Sequence, residues 1–208
     1  MKYIFMAGAP GSKWSSVSKN IYYSADIDRS DYSDSRTYYH DASGRTELMH
    51  MGAYFDPGME FDLPESMSEL SKTQAEERFD APFSGTGVRI IKSHIFSYEH
   101  NINYLRSRWP YSPIVLVQRS DDACLGWWVK CGHFNITYPL YDEYYVDLKN
   151  MAKIIQCQNQ GIAVAITNYS DTRKTPQTNL ELCSALGIAE PDNYIQHYQS
   201  NDIKVTVI

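Results

Sequence analysis

The 208-residue chain contains no apolar run approaching the roughly 18–20 residues that cross a bilayer, which excludes a helical membrane span. Its opening, MKYIFMAGAPG, carries too short an apolar stretch for a signal peptide, so a soluble, cytoplasmic protein with no membrane partner is expected. Cysteine is scarce. Cys124, Cys131, Cys157 and Cys183 show no C-x-x-C spacing, which argues against a zinc knuckle or a disulfide framework and reads as free thiols. Positive charge is in deficit as well: 19 lysines and arginines face 25 aspartates and glutamates, a net charge of -6. A nonspecific nucleic-acid binder carries the opposite balance, so no nucleic-acid partner is expected. The chain holds no internal repeat, no low-complexity tract and no carboxylate or histidine set patterned for a metal. Nothing in the pattern sets an oligomeric state.

What is present is enough for a core: 43% of the residues are hydrophobic, and the length suits one domain spanning 1–208. Tyrosine is unusually frequent, at 17. Short apolar runs alternate with stretches of helical period, which predicts an α/β protein with three layers and a mainly parallel central sheet. Strands are expected at Tyr3–Ala7, Val88–Ile91, Pro113–Val117 and Ile162–Ile166. Helices are expected from Trp14 to about Ala25, over Tyr98–Trp109, Asp121–Gly132 and Leu140–Gln158, and over Thr178–Leu186, where Gly187 closes the last. Residues 26–87 break the rhythm. Rich in Asp, Ser and Tyr, with periodicity only over a helix at Ser66–Phe79, they read as an insertion forming a lid or an acceptor-binding region.

Three strand ends carry chemistry. The first strand runs into Gly8-Ala9-Pro10-Gly11-Ser12-Lys13 and then a helix bearing Ser15 and Ser16. Free backbone N–H groups and the positive helix end converge there, and the lysine and hydroxyls add contacts, so the segment suits an anion. It resembles a phosphate-binding P-loop, although a Walker A pattern counted from Gly8 needs glycine at 13 and lysine at 14, where Lys13 and Trp14 stand. The plainer alternative is a Gly/Pro turn joining strand to helix. The second strand ends in Lys92-Ser93-His94. Ligands of open α/β sheets bind beyond the carboxyl ends of strands, and a histidine there can accept a proton near neutral pH; a hydrogen-bonded structural histidine is the competing reading. The third ends at Arg119, whose forked guanidinium suits a second phosphate or, equally, an ion pair with Asp121 or Asp122.

In this order the three segments resemble the PAPS-dependent sulfotransferases, which move a sulfuryl group from 3′-phosphoadenosine 5′-phosphosulfate (PAPS) to a hydroxyl or amine. Gly11-Ser12-Lys13-Trp14 resembles the end of the family's P-K-S-G-T-T-W loop, Lys92-Ser93-His94-Ile95-Phe96 its K-T-H-L-P segment, and Val117-Gln118-Arg119-Ser120-Asp121 its V-x-R-N-P-x-D strand end. Thr167-Asn168-Tyr169 and Asn179–Gly187 are similar to its last core strand and helix. The resemblance covers 1–25 and 88–188 and implies a P-loop NTPase-like, sulfotransferase-like fold. It implies His94 as catalytic base, with Lys92 and Lys13 neutralising charge on the sulfuryl and bridging oxygens. Gly11, Ser12, Lys13, Ser15 and Ser16 would hold the 5′-phosphate, Arg119 the 3′-phosphate, and Trp14 would stack on adenine unless it packs in the core. PAPS would be the cosubstrate, a hydroxylated small molecule or glycan the acceptor, and no metal is required.

The chain departs from the family at three places. The family's loop lysine falls on Ala9, its serine eight residues after the arginine falls on Trp127, and no R-K-G-x-x-G-D-W stretch follows. Reduced nucleotide affinity, another closing element and a degenerate site all stay open. Two other functions compete: a P-loop kinase or nucleotide hydrolase, which needs a magnesium site, and a nonenzymatic nucleotide- or glycan-binding module using the tyrosine-rich 26–87 and 133–145 stretches. Charge is segregated in favour of an anionic donor. Residues 1–25 hold three basic and no acidic side chains and 88–119 five basic and one acidic, whereas 26–87 hold five basic and fourteen acidic. A neutral or cationic acceptor is therefore expected near 26–87.

Overall fold

The computed structural model of the chain describes residues 1–8, 12–31, 37–39, 46–48, 53–54, 66–120, 123, 164–169, 176–191 and 203–208. In chain order the elements are β1 (Tyr3–Gly8), α1 (Trp14–Tyr22), β2 (Thr37–Tyr39), β3 (Thr46–Leu48), β4 (Ala53–Tyr54), α2 (Lys72–Asp80) and β5 (Arg89–Lys92). There follow α3 (Glu99–Arg108), β6 (Ile114–Gln118), β7 (Val164–Tyr169), α4 (Pro176–Leu186) and β8 (Ile203–Val207), with short 3-10 turns at Met67–Glu69 and His94–Ser97.

Six strands form one mixed sheet in the order β4-β5-β1-β6-β8-β7, while β2 and β3 pair separately and antiparallel. The β4–β5, β5–β1 and β1–β6 pairs are parallel; β8 is antiparallel to both of its neighbours. At the centre, β1 is buried at every residue, as an apolar run covered on both faces must be. Its side chains alternate between two cores. Ile4 and Met6 join Val17 and Ile21 of α1 and Leu182, Cys183 and Leu186 of α4 on one face. Tyr3, Phe5 and Ala7 join Phe79 of α2 and Ile102 and Leu105 of α3 on the other. Helices thus cover both faces, and the second core is strongly aromatic: the Phe79 ring lies 5.7 Å from Tyr3, 5.5 Å from Phe5 and 5.6 Å from Trp109.

The α/β reading and its central strands agree with this arrangement, with three corrections. First, β8 was not foreseen as a strand, and its antiparallel insertion between β6 and β7 makes the sheet mixed. Second, the helix expected over Ser66–Phe79 begins only at Lys72. Leu70 and Ser71 are extended, and the Ser71 hydroxyl accepts from the Gln74 N–H while the Gln74 side chain accepts from the Ser71 N–H, a capping box that starts a new helix. Third, α1 ends at Tyr22 rather than Ala25, where a turn closed by Ser24 N–H on the Ile21 carbonyl leaves the helix. At the other end of the chain, Gly187 closes α4 at a φ of +66°, which favours glycine. Of the 26–87 stretch, β4 extends the central sheet and α2 supplies core residues. The helices expected over Asp121–Gly132 and Leu140–Gln158, and Cys124, Cys131 and Cys157, lie outside the described residues.

Parallel pairing has the consequence that matters for the site. The carboxyl ends of β5, β1 and β6, at Lys92, Gly8 and Gln118, meet at one edge of the sheet.

Candidate functional site

The first component is the turn from β1 to α1. Gly8 has no room for a side chain, since a Cβ would lie 2.6 Å from the Ser12 Oγ and 2.8 Å from the Trp14 Cβ. That close approach lets the chain fold back sharply at the strand end. Lys13 caps α1 in the left-handed region, at φ 63° and ψ 26°, and its carbonyl accepts the Ser16 N–H at 3.0 Å and the Val17 N–H at 3.3 Å. A lysine held there is strained relative to glycine, and such strain clusters at ligand-binding turns. The Ser12 Oγ is buried without a hydrogen-bond partner beside this helix start, where N–H groups unsatisfied by the helix point outward. Ser15 is buried and Ser16 half-buried, while Gly11 lies outside the described residues.

The second component comes from β5. The Ser93 N–H donates to the Met6 carbonyl at 3.1 Å, carrying the β1–β5 ladder one residue past the strand. His94 then opens the 3-10 turn, and its Nδ1 bonds to the Gly8 carbonyl oxygen. A carbonyl only accepts, so Nδ1 carries the proton, and in the neutral ring Nε2 bears the lone pair. The Trp14 ring centroid is 4.4 Å from that of His94, with planes inclined by 32°, and the Lys92 Nζ sits 4.8 Å from the Trp14 centroid. Sequence-distant residues from two strand ends and one helix are therefore brought together. All are withdrawn from solvent: Lys92 is 0% exposed, His94 3%, Trp14 5% and Lys13 8%.

Trp14 belongs to the core of the α1 face and packs beside His94 and Lys92. Arg119 stands two residues beyond Val117, the register partner of Gly8, at the same sheet edge. Its Nη1 donates to the Ala123 carbonyl at 3.3 Å, and the Ser120 Oγ accepts the Ala123 N–H at 3.3 Å. Trp127, where the resembling family has a serine, lies outside the described residues.

One supporting residue escaped sequence reasoning. Asn101, fully buried on α3, donates from Nδ2 to the Ile95 carbonyl at 2.8 Å and accepts the Met67 N–H on Oδ1 at 2.7 Å. It ties the turn that carries His94 to the segment before α2. The only signal for it was a polar residue beside Ile102 on the inward face of a helix. Among the described residues no group of three or more His, Cys, Asp or Glu side chains could hold a metal, and no helix is long and apolar enough to cross a membrane. No family model, curated protein or solved structure matches this chain.

Proposed function

We propose that the chain is a PAPS-dependent sulfotransferase on a P-loop-type fold, acting on a hydroxyl or amine of a small molecule or glycan. One observation carries the reading: the loop before α1, the Lys92-Ser93-His94 segment and Arg119 follow three adjacent parallel strands, and His94 is bonded to the Gly8 carbonyl at the loop's start. The residues present suit a phosphosulfate. A buried, unpartnered Ser12 hydroxyl and a helix N-terminus with no acidic residue in its first turn suit an anion, and Lys13 caps that same helix.

When bound, the donor supplies an activated sulfuryl group, whose sulfur gains the acceptor oxygen as its bond to the nucleotide phosphate oxygen breaks. His94 takes the acceptor proton on Nε2, while its Nδ1–H remains on the Gly8 carbonyl. Lys92 and Lys13 balance the negative charge shifting from the acceptor to the leaving phosphate, a contribution of about 10²–10³ in rate for one such preorganised donor. Ser12, Ser15, Ser16 and the first-turn N–H groups orient the 5′-phosphate, and Arg119 takes the 3′-phosphate by leaving the Ala123 carbonyl. Burial of these groups excludes water, which strengthens each charge interaction.

Calorimetric titration with 3′-phosphoadenosine 5′-phosphate and with ATP plus magnesium tests the nucleotide half of the proposal. The former is expected to bind without metal; a preference for ATP overturns the reading and favours a kinase or hydrolase. With labelled PAPS and a panel of hydroxylated acceptors, His94→Ala is expected to lower turnover by about 10²–10⁴-fold while nucleotide affinity stays close to wild type. Nucleotide binding with no transfer to any acceptor favours the nonenzymatic module.

A further inference from the structure

We propose that Trp14 is the positioning residue of His94: its indole, inclined by 32° against the imidazole, acts with the Gly8 carbonyl to hold the ring in the Nδ1–H tautomer, with the Nε2 lone pair facing the acceptor. The inference rests on the sulfotransferase reading only for the identity of that acceptor. The geometry behind it concerns the free protein. A histidine ring has two freedoms that decide whether it works as a base, its plane and its tautomer. The Gly8 carbonyl selects the tautomer, because it accepts a proton from Nδ1 and has none to give. That bond by itself does not fix the plane of the ring. The indole 4.4 Å away bounds it from one side.

Trp14 is itself held. It is the first residue of α1, following the left-handed Lys13; its Cβ lies against Gly8, the residue whose carbonyl receives Nδ1; and the Lys92 Nζ stands 4.8 Å from its centroid. The loop, the base and the lysine of the second strand end therefore share one aromatic plate. Displacing the start of α1 displaces the His94 ring with it, which couples whatever occupies the loop to the orientation of the base. This differs from the adenine-stacking role that the family resemblance implies for Trp14.

Two-bond 1H–15N spectra of the histidine-labelled protein, taken where the ring is neutral and assigned with a His94→Gln variant, read the tautomer directly. Wild type is expected to show a protonated Nδ1 and an unprotonated Nε2, and His94 ring protons shifted upfield by the indole. Trp14→Phe is expected to keep the tautomer with a smaller upfield shift. Trp14→Leu is expected to lose the single tautomer and, with PAPS and an acceptor, to drop kcat by about 10²-fold without a matching change in nucleotide affinity. A wild-type His94 protonated at Nε2, ring protons without the upfield shift, or a Trp14→Leu spectrum identical to wild type overturns the proposal. The wild-type and Trp14→Phe spectra decide it even where Trp14→Leu does not fold. The spectra need no nucleotide, so failure to bind 3′-phosphoadenosine 5′-phosphate sinks the sulfotransferase reading while leaving this one intact, and the converse outcome is separately visible.

Discussion

Lys13 separates stability from function within one side chain. A left-handed φ of 63° costs a lysine roughly 1–2 kcal/mol that glycine does not spend, although glycine also widens the unfolded ensemble. Lys13→Gly is therefore expected to leave thermal stability unchanged or to raise it by up to about 1 kcal/mol, measured by denaturant unfolding. The same substitution removes a cation beside the proposed anion site, so sulfuryl transfer is expected to fall by about 10²-fold or more. Loss of stability together with activity would mean that the lysine is a structural cap and nothing else. The lysine was legible in the sequence as an anion-binding candidate; its backbone conformation was not, because a left-handed residue is imposed by how the strand end and helix start must meet. Trp14 shows the same division. Its position in a loop-to-helix junction was readable, whereas its contact with His94, 80 residues away in sequence, depends on β1 and β5 lying side by side.

At the scale of elements, one charged network fastens the amino ends of β1 and β5 to α2. Asp80, at the end of α2, accepts from the Lys2 Nζ at 2.7 Å, from the Tyr3 hydroxyl at 2.8 Å and from the Arg89 Nη1. Arg89 also reaches the Gly85 carbonyl at 3.1 Å and lies 3.5 Å from the buried Asp28 carboxylate. Asp28 in turn holds Ser30, and the Ser30 hydroxyl accepts from Ser84 and Gly85, so the two ends of the 26–87 stretch are closed at its neck. Burial raises the Asp80 carboxyl, but the hydrogen bonds from Lys2, Tyr3 and Arg89 outweigh it and hold the group below its ordinary 3.8. A depressed folded value makes the contribution to stability full above 3.8 and lost as pH falls through the folded value. Asp80→Asn is expected to flatten the acid limb of the stability profile below about pH 4, read by chemical denaturation across pH; an unchanged limb would show that solvent screening at this one-third exposed carboxylate cancels the effect. None of this network follows from local pattern. Asp80 sits in a weakly amphipathic helix, and its partners come from 9 and 78 residues away.

For the molecule as a whole, the two cores on opposite faces of the sheet each carry a buried group that must stay neutral. Burial pushes the Cys183 thiol, on the α1 and α4 face, from 9.0 up to about 12, helped by nearby Glu190. Burial and the bond to Asp80 hold the Tyr3 phenol, on the opposite face, well above its ordinary 10.0. In the unfolded chain both ionise at their ordinary values, so the sign is the reverse of the acid case: stability is full below pH 9 and declines as pH rises toward the folded values. Denaturant midpoints are expected to fall steadily above pH 9, and Cys183→Ala, though it leaves a small cavity, is expected to shift the onset toward the tyrosine range near 10. An onset that ignores this substitution would assign the whole alkaline limb to tyrosines.

The sequence alone determined the alternation of strands and helices, the apolar central strands and the residue types at three strand ends, because burial on a strand or helix imprints a local period of 2 or 3.6 that can be read without knowing the neighbours. The tertiary structure decided the strand order, the antiparallel β8 between β6 and β7, and the contacts of the His94 ring with Trp14 and with the Gly8 carbonyl. Those are relations between segments up to 109 residues apart, as β1 and β6 are at Met6 and Val115, fixed by which hydrogen-bonding edges and which ring faces are still open when the chain closes on itself.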